Sequence, residues 1–156
     1  MTALRENEVQ AVLDVFAKGW LTLGPRSQEL ESRLAAFAGT DEAVVVASGE
    51  AALHLAFLAL ALEPGDEVVV PSVGGDDAAV AVARTGAAPV TADVDPADPV
   101  LTADVLRPAL TDATRAVVLV HPYGFPADAS GLRAVCDERG VALVEDATQS
   151  LGAEGV

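Results

Sequence analysis

The first feature that could do chemistry is a β-branched run that passes through small residues into an apolar helix. It covers residues 44–62 and reads VVVASGEAALHLAFLALAL. At such a junction, free main-chain N–H groups and the positive end of the helix dipole can hold an anion. Gly49, Glu50 and Ala51 lie there and are the candidate anion-binding residues. Because Glu50 would repel a phosphate, the residues alone leave open whether an anion binds.

Other polar groups and glycines follow apolar runs in the same way. These segments are Pro71 to Asp77, His121 to Gly124 and Glu145 to Gln149. On spacing alone, Asp146 caps the turn that follows it. We expect His121 to make structural hydrogen bonds and His54, in the apolar helix, to be a satisfied core histidine. No cluster of cysteines or histidines predicts a metal site.

The elements that must position these residues alternate between helix and strand. Helical spacing of apolar side chains predicts helices over 4–18 and 26–37, joined by an extended segment. The pattern then predicts strands at 43–47, 88–94, 115–121 and 141–146, a turn and strand over 63–72, and helices at 50–62, 76–84, 102–110 and 129–139. This order predicts an α/β fold with three αβα layers and a mostly parallel sheet. Ligands of such sheets bind beyond the carboxyl ends of the strands.

Composition limits the class of partner. The 156 residues carry a net charge of −15, which argues against nucleic acid or an anionic membrane. No segment approaches the ~20 apolar residues that cross a bilayer, and the N-terminus does not resemble a secretion signal, so we expect a cytoplasmic protein. The single cysteine, Cys136, shares a predicted helix face with Leu132 and Val135, which predicts a buried thiol.

Five motifs span nearly the whole chain: GWLTLGP (19–25), SGEAALHLAFLAL (48–60), PGDEVVVPS (64–72), VHPYGFPAD (120–128) and VEDATQSLGA (144–153). In this order they resemble the DegT–DnrJ–StrS family of sugar aminotransferases. The resemblance implies the major domain of the aspartate-aminotransferase fold (fold type I), here incomplete. Residues 1–40 would be an N-terminal helical segment and 41–156 the N-terminal part of the large domain. By the same resemblance, we expect the rest of that domain and a small C-terminal domain to lie outside these residues.

The resemblance implies pyridoxal 5′-phosphate (PLP) as the cofactor. Asp146 matches the family carboxylate that faces the ring nitrogen and keeps it protonated, and Gln149 matches the residue that contacts the phenolic oxygen. The positions that match the family's cofactor site are Gly49, Glu50, Ala51, Gly75, Asp146 and Gln149.

Three departures from the family pattern accompany these matches. Glu50 stands where the family usually has a threonine that binds the phosphate. Gly74 and Gly75 stand where it has a threonine and an aromatic that stacks on the ring. The lysine that forms the Schiff base lies downstream of DATQS in the family, whereas the only lysine of this chain is Lys18. We therefore predict no catalytic residue within this chain and expect it to be inactive alone.

The implied reaction transfers an amino group, typically from glutamate, to a keto group of a nucleotide-linked sugar or cyclitol. The implied partner is a second copy, as a homodimer, or a complementing chain. Two alternatives stay open. A catalytically dead scaffold or subunit partner would use Glu50 in place of the cofactor phosphate. A ligand-binding module would take an amino sugar or polyamine in an acidic cleft formed by Glu50, Asp76, Asp77 and Asp146.

Overall fold

A computed structural model describes residues 4–96 and 99–153. The chain divides into two compact units, residues 1–46 and 47–156. Of the described helices, none has both the length and the apolar character that crossing a bilayer requires. The predicted division at residues 40 and 41 stays a prediction.

The first unit contains two helices, α1 (Glu6–Lys18) and α2 (Pro25–Ala38). Both end at a glycine in the left-handed region, Gly19 and Gly39, which closes the last turn without a Cβ penalty. Proline at the first position of α2 has the backbone angle that starts a helix. The two predicted helices are confirmed within one or two residues at each end.

One predicted strand is wrong. Residues 42–46 have no regular secondary structure, and residues 43–47 form no strand in the described structure. The N–H of Val45 instead donates to Oε1 of Glu31 at 2.9 Å. A run of valines favours the conformation of a strand, but a strand also needs a neighbour for its ladder hydrogen bonds.

The second unit is built on a four-stranded sheet. The strands are β1 (Glu67–Pro71), β2 (Ala88–Ala92), β3 (Thr114–Val120) and β4 (Ala142–Asp146), in the order β2-β1-β3-β4. Every pair is parallel. The helices are α3 (Gly49–Ala59), α4 (Asp76–Ala83), α5 (Ala103–Ala109) and α6 (Ala129–Arg139). The other predicted strands and helices are therefore confirmed, with ends that shift by up to a few residues.

Two hydrophobic cores lie on opposite faces of this sheet. Val68 and Val70 of β1 pack with side chains of α3 and α4, including Phe57. Val69, which points to the other face, packs with side chains of α5 and α6, including Leu132. Strands that are apolar on both faces are typical of a sheet covered by helices on each side. The predicted three-layer αβα fold is confirmed.

Candidate functional site

The candidate site lies where the parallel strands end. Because all four strands run in one direction, the segments after Pro71, Val120 and Asp146 leave the sheet at the same edge. The N–H of His121 donates to the carbonyl of Asp146 at 3.0 Å, which joins the segment after β3 to the end of β4. Two of the predicted groups of site residues therefore meet at this edge.

The carboxylate of Asp146 is oriented by the turn that follows it. Its Oδ1 accepts hydrogen bonds from the N–H of Thr148 at 3.0 Å and from the hydroxyl of Thr148 at 2.6 Å. Asp146 therefore caps its turn, as its spacing predicts. Within the described ranges, Oδ2 accepts no hydrogen bond, so one oxygen of a half-buried carboxylate is available to a donor.

The side-chain amide of Gln149 is held by the neighbouring loop. Its Oε1 accepts a hydrogen bond from the N–H of Tyr123 at 3.0 Å. Tyr123 has φ of 55° and ψ of 23°, a left-handed conformation that is uncommon for a residue with a large side chain. Because Oε1 accepts this bond and the NH₂ group has no acceptor among the described residues, the NH₂ group is the part of the Gln149 amide left for a ligand, and it can only donate.

The N-terminus of α3 lies beside this turn. A Cβ built on Gly49 would be 3.9 Å from Cγ2 of Thr148. Ser48 caps the helix, and its hydroxyl accepts from the N–H of Ala51 at 3.1 Å. The N–H groups of Gly49 and Glu50 find no acceptor in the described part of the chain. They are therefore the free donors of this helix end, whereas the donor of Ala51 is occupied.

The charge of Glu50 is paired. Nη1 of Arg84, which follows α4, lies 2.5 Å from Oε1 of Glu50. The atoms are in contact without the alignment of a hydrogen bond, since this oxygen is buried and has no hydrogen-bond partner among the described residues. The Glu50 carboxylate at the start of α3 is thus accompanied by a cation, which weakens its repulsion of an anion.

Gly75 lies where the chain turns from β1 into α4. A Cβ on Gly75 would lie 2.2 Å from the carbonyl oxygen of Pro71, far inside contact distance. Gly74 has φ of 74°, and a Cβ there would lie 3.0 Å from Cγ1 of Val120. Asp76 and Asp77 form the acidic first turn of α4. This turn, with the backbone it adopts, has no room for a ring-stacking aromatic at position 75.

The two histidines differ in their surroundings. His121 is buried, and both of its ring nitrogens have partners, so the predicted structural hydrogen bonds are confirmed. His54 is half-buried rather than part of the core, and its Nδ1 lies 3.3 Å from the carbonyl oxygen of Ala81. Cys136 is buried as predicted, and burial raises the pKa of its thiol.

A cavity of about 490 Å³ lies within the first unit, lined by residues between 14 and 29. Its wall includes Trp20, Lys18 and Arg26, and none of the predicted cofactor-binding residues. The indole N–H of Trp20 donates to the carbonyl of Leu23 at 3.0 Å, so the ring is fixed within its own loop.

The family model for DegT/DnrJ/EryC1/StrS aminotransferases matches residues 2–155. The chain belongs to this family. It is similar to DesV of S. venezuelae, solved in complex with a ketimine intermediate, with 42% identity over 92% of this chain and 39% of that chain, and a TM-score of 0.88. It is also similar to the aminotransferase TlmJ of Streptoalloteichus hindustanus, with 41% identity over 96% and 41% of the two chains and a TM-score of 0.87.

A third similar structure is the PLP form of the putative sugar aminotransferase Spr1654 of Streptococcus pneumoniae. It has 30% identity over 96% of this chain and 42% of that chain, with a TM-score of 0.89. The predicted family and fold type I are confirmed, and this third relative was solved with PLP, the cofactor that the resemblance implies. The chain spans well under half the length of each of the three.

Three residues of the site escaped the sequence analysis. Thr148 could have been found, since aspartate followed two residues later by threonine is typical of a side-chain-capped turn. Tyr123 acts through its main-chain N–H, for which the residue type carries no signal. Arg84 is remote in sequence from its partner Glu50, and no local pattern joins them.

Proposed function

We propose that this chain is the N-terminal part of the cofactor-binding domain of a PLP-dependent sugar aminotransferase. The observation that carries the proposal is the pair Asp146 and Gln149. Each is oriented by a neighbour through one oxygen, and each keeps one group for a ligand: an acceptor on Asp146 and a donor on Gln149. A protonated ring nitrogen and a phenolic oxygen on one ring need this combination.

The residues at the edge of the sheet suit the three polar ends of the cofactor. Oδ2 of Asp146 would accept a hydrogen bond from the ring nitrogen and keep it protonated. The NH₂ of Gln149 would donate to the phenolic oxygen. The N–H groups of Gly49 and Glu50 would hold the phosphate with the positive end of the α3 dipole. When bound, PLP supplies a ring that withdraws electrons from the substrate carbon attached to nitrogen.

The proposed substrate is a keto group on a nucleotide-linked sugar or cyclitol, with glutamate as the amino donor. The lysine that the reaction needs would come from residues beyond these 156, either of a longer chain or of a complementing one. We further propose that the protein works in the cytoplasm as a dimer, and that residues 1–40 form a segment separate from the large domain.

The test is spectroscopic titration of the chain with PLP, using Asp146→Asn and, as a matched control, Asp137→Asn on the exposed surface of α6. We expect Asp146→Asn to weaken PLP binding about tenfold or more, because a charge-assisted hydrogen bond contributes about 1.5–3 kcal/mol. The control should bind like the unchanged protein. Equal affinity of the two variants, or no saturable binding by the unchanged protein, would contradict the proposal.

Neither the scaffold alternative nor the cation-binding alternative is favoured by a specific contact in the described residues. A scaffold that uses Glu50 in place of the phosphate would need this carboxylate at the helix N-terminus, and the carboxylate is paired with Arg84. A cation-binding module would compete with the same arginine. Both therefore rank behind the cofactor-binding role.

A further inference from the structure

His121 connects the two segments that carry the candidate cofactor residues. It directly follows β3, and it is 6% exposed. It is one of two buried polar residues in the described ranges, together with Thr114 at the other end of the same strand. A buried imidazole is retained in a core only where its nitrogens are satisfied.

Both ring nitrogens of His121 bind neighbouring segments. Nδ1 accepts a hydrogen bond from the N–H of Ala127 at 2.9 Å, so the ring proton resides on Nε2. Nε2 lies 3.4 Å from Oε2 of Glu145, a long contact compared with the bond to Ala127. The other oxygen of Glu145 lies 2.8 Å from Nη2 of Arg133 on α6. The ring therefore joins the loop after β3 to the end of β4.

The same loop supplies the hydrogen bond that orients Gln149. Tyr123 lies between the two ends that the His121 ring holds together, residue 121 itself and Ala127. Its left-handed conformation costs free energy and persists only where the surrounding structure imposes it. The bond from the Ala127 N–H to Nδ1 of His121 closes this loop, and the Tyr123 N–H within the loop donates to Oε1 of Gln149.

We propose that His121 is a positioning residue for the cofactor site. Through the loop it closes, it fixes Gln149. Through its main-chain bond to Asp146 and its contact with the adjacent Glu145, it fixes the end of β4. Its Nδ1 is the essential atom, because the bond to Ala127 is the shorter of the two ring contacts. The inference rests on the proposed function for the identity of the ligand, whereas the contacts of His121 with the loop and with β4 do not depend on it.

Two substitutions of His121 distinguish the role of Nδ1 from that of Nε2. His121→Asn keeps an acceptor near the position of Nδ1, and His121→Gln keeps a donor near the position of Nε2. Thr114→Val is the matched control, because it removes a buried acceptor that binds the N–H of Thr111 at 2.9 Å, at the opposite end of β3. It should lower stability without affecting the site.

The first measurement is nuclear magnetic resonance of the chain without cofactor. We expect the ring nitrogen shifts of the unchanged protein to report the Nε2–H form. His121→Gln should displace the resonances of the Tyr123 N–H and the Gln149 NH₂, whereas His121→Asn and Thr114→Val should leave them near their original positions. Unchanged Tyr123 and Gln149 resonances in His121→Gln, or equal changes in Thr114→Val, would overturn the proposal.

The second measurement is PLP affinity. His121→Gln should bind about fivefold more weakly, the change expected for loss of one neutral hydrogen bond, and His121→Asn should recover most of the loss. Recovery by His121→Gln instead of His121→Asn would overturn the role of Nδ1. If the unchanged protein fails to bind PLP, the proposed function fails, while the resonance measurement still decides whether His121 positions Gln149.

Discussion

Gly75 is the residue on which the turn from β1 into α4 depends. Since a Cβ would lie 2.2 Å from the carbonyl oxygen of Pro71, we expect Gly75→Ala to lower the free energy of unfolding by about 1–3 kcal/mol through overpacking. Denaturant unfolding measures this change.

Gly49→Ala is the control for that experiment. Gly49 begins α3, and the nearest atom to its added Cβ would be 3.9 Å away. This substitution should leave stability unchanged or raise it by up to about 1 kcal/mol, because alanine is the better helix former. Equal effects of Gly75→Ala and Gly49→Ala on stability would mean that the turn can shift to accommodate a side chain at position 75. The backbone would then not exclude a ring-stacking aromatic there.

A double-mutant cycle tests whether Arg84 compensates Glu50. The variants are Glu50→Gln, Arg84→Gln and the double change. The pair is partly exposed, with 60% of the arginine and 36% of the glutamate side chain accessible, so its coupling should contribute only about 0.2–1 kcal/mol to stability. For PLP binding, we expect Arg84→Gln alone to weaken affinity and the double change to restore it. Weaker binding by the double variant than by Arg84→Gln would show that Arg84 does not act by neutralising Glu50.

At the scale of elements, α6 begins at a cap whose strength depends on pH. Oδ1 of Asp128 accepts hydrogen bonds from the Ser130 hydroxyl and from the N–H groups of Ser130 and Gly131. The Ser130 hydroxyl, followed by these N–H groups, lowers the pKa of Asp128 below its ordinary value. A lowered pKa in the folded state means that the stabilisation is complete above the unfolded-state pKa and is lost as the pH falls through the folded-state pKa.

Asp128→Ala should therefore lower the melting temperature at neutral pH, and the difference from the unchanged protein should shrink in acid. Asp128→Asn keeps a capping oxygen without the charge, so its deficit at neutral pH should be smaller than that of Asp128→Ala, and it too should shrink in acid as the unchanged protein loses its ionised cap. Thermal unfolding across this pH range measures both. A constant deficit of Asp128→Ala from neutral to acid pH would contradict a role for the ionised cap.

The elements were more predictable than their contacts. The helices of both units were predicted because apolar spacing and terminal glycines are local signals, and α1, α2 and α6 end at such glycines. The strand over 43–47 was wrong because valines report the preference of one segment, whereas pairing depends on a second. Strand order was not predicted either, since β1 pairs with β3 across an intervening strand and helices.

In the candidate site too, the residues were predictable from the sequence and their contacts were not. Asp146, Gln149 and the start of α3 came from motifs that resemble a family, and Asp146 also from its position before a turn. The contacts that orient these residues could not be predicted from the sequence. The bond from Tyr123 to Gln149 uses a main-chain donor, and the pair Glu50 and Arg84 joins residues remote in sequence. Sequence motifs identify which side chains to inspect, and only the fold shows which of their atoms remain available.

At the scale of the molecule, the thiol of Cys136 reports opening of the second unit. It is 1% exposed in the core between the sheet and α6, and burial raises its pKa, so the reactive thiolate is scarce in the folded state. We expect a disulfide reagent to modify the native protein about a thousandfold more slowly than the denatured one. Because the chain has one cysteine, the stoichiometry should be one. Rapid reaction under native conditions would mean that this core opens locally.

The parallel order of the sheet has a consequence for synthesis on the ribosome. β1 occupies an interior position and consists largely of valine, yet its partner β3 is translated only after α4, β2 and α5. Until then, one edge of an apolar strand has no neighbour, which is the condition in which nascent chains aggregate or bind chaperones. This interior strand, which contributes to both cores of the finished sheet, is thus exposed to misassembly while the chain is being made.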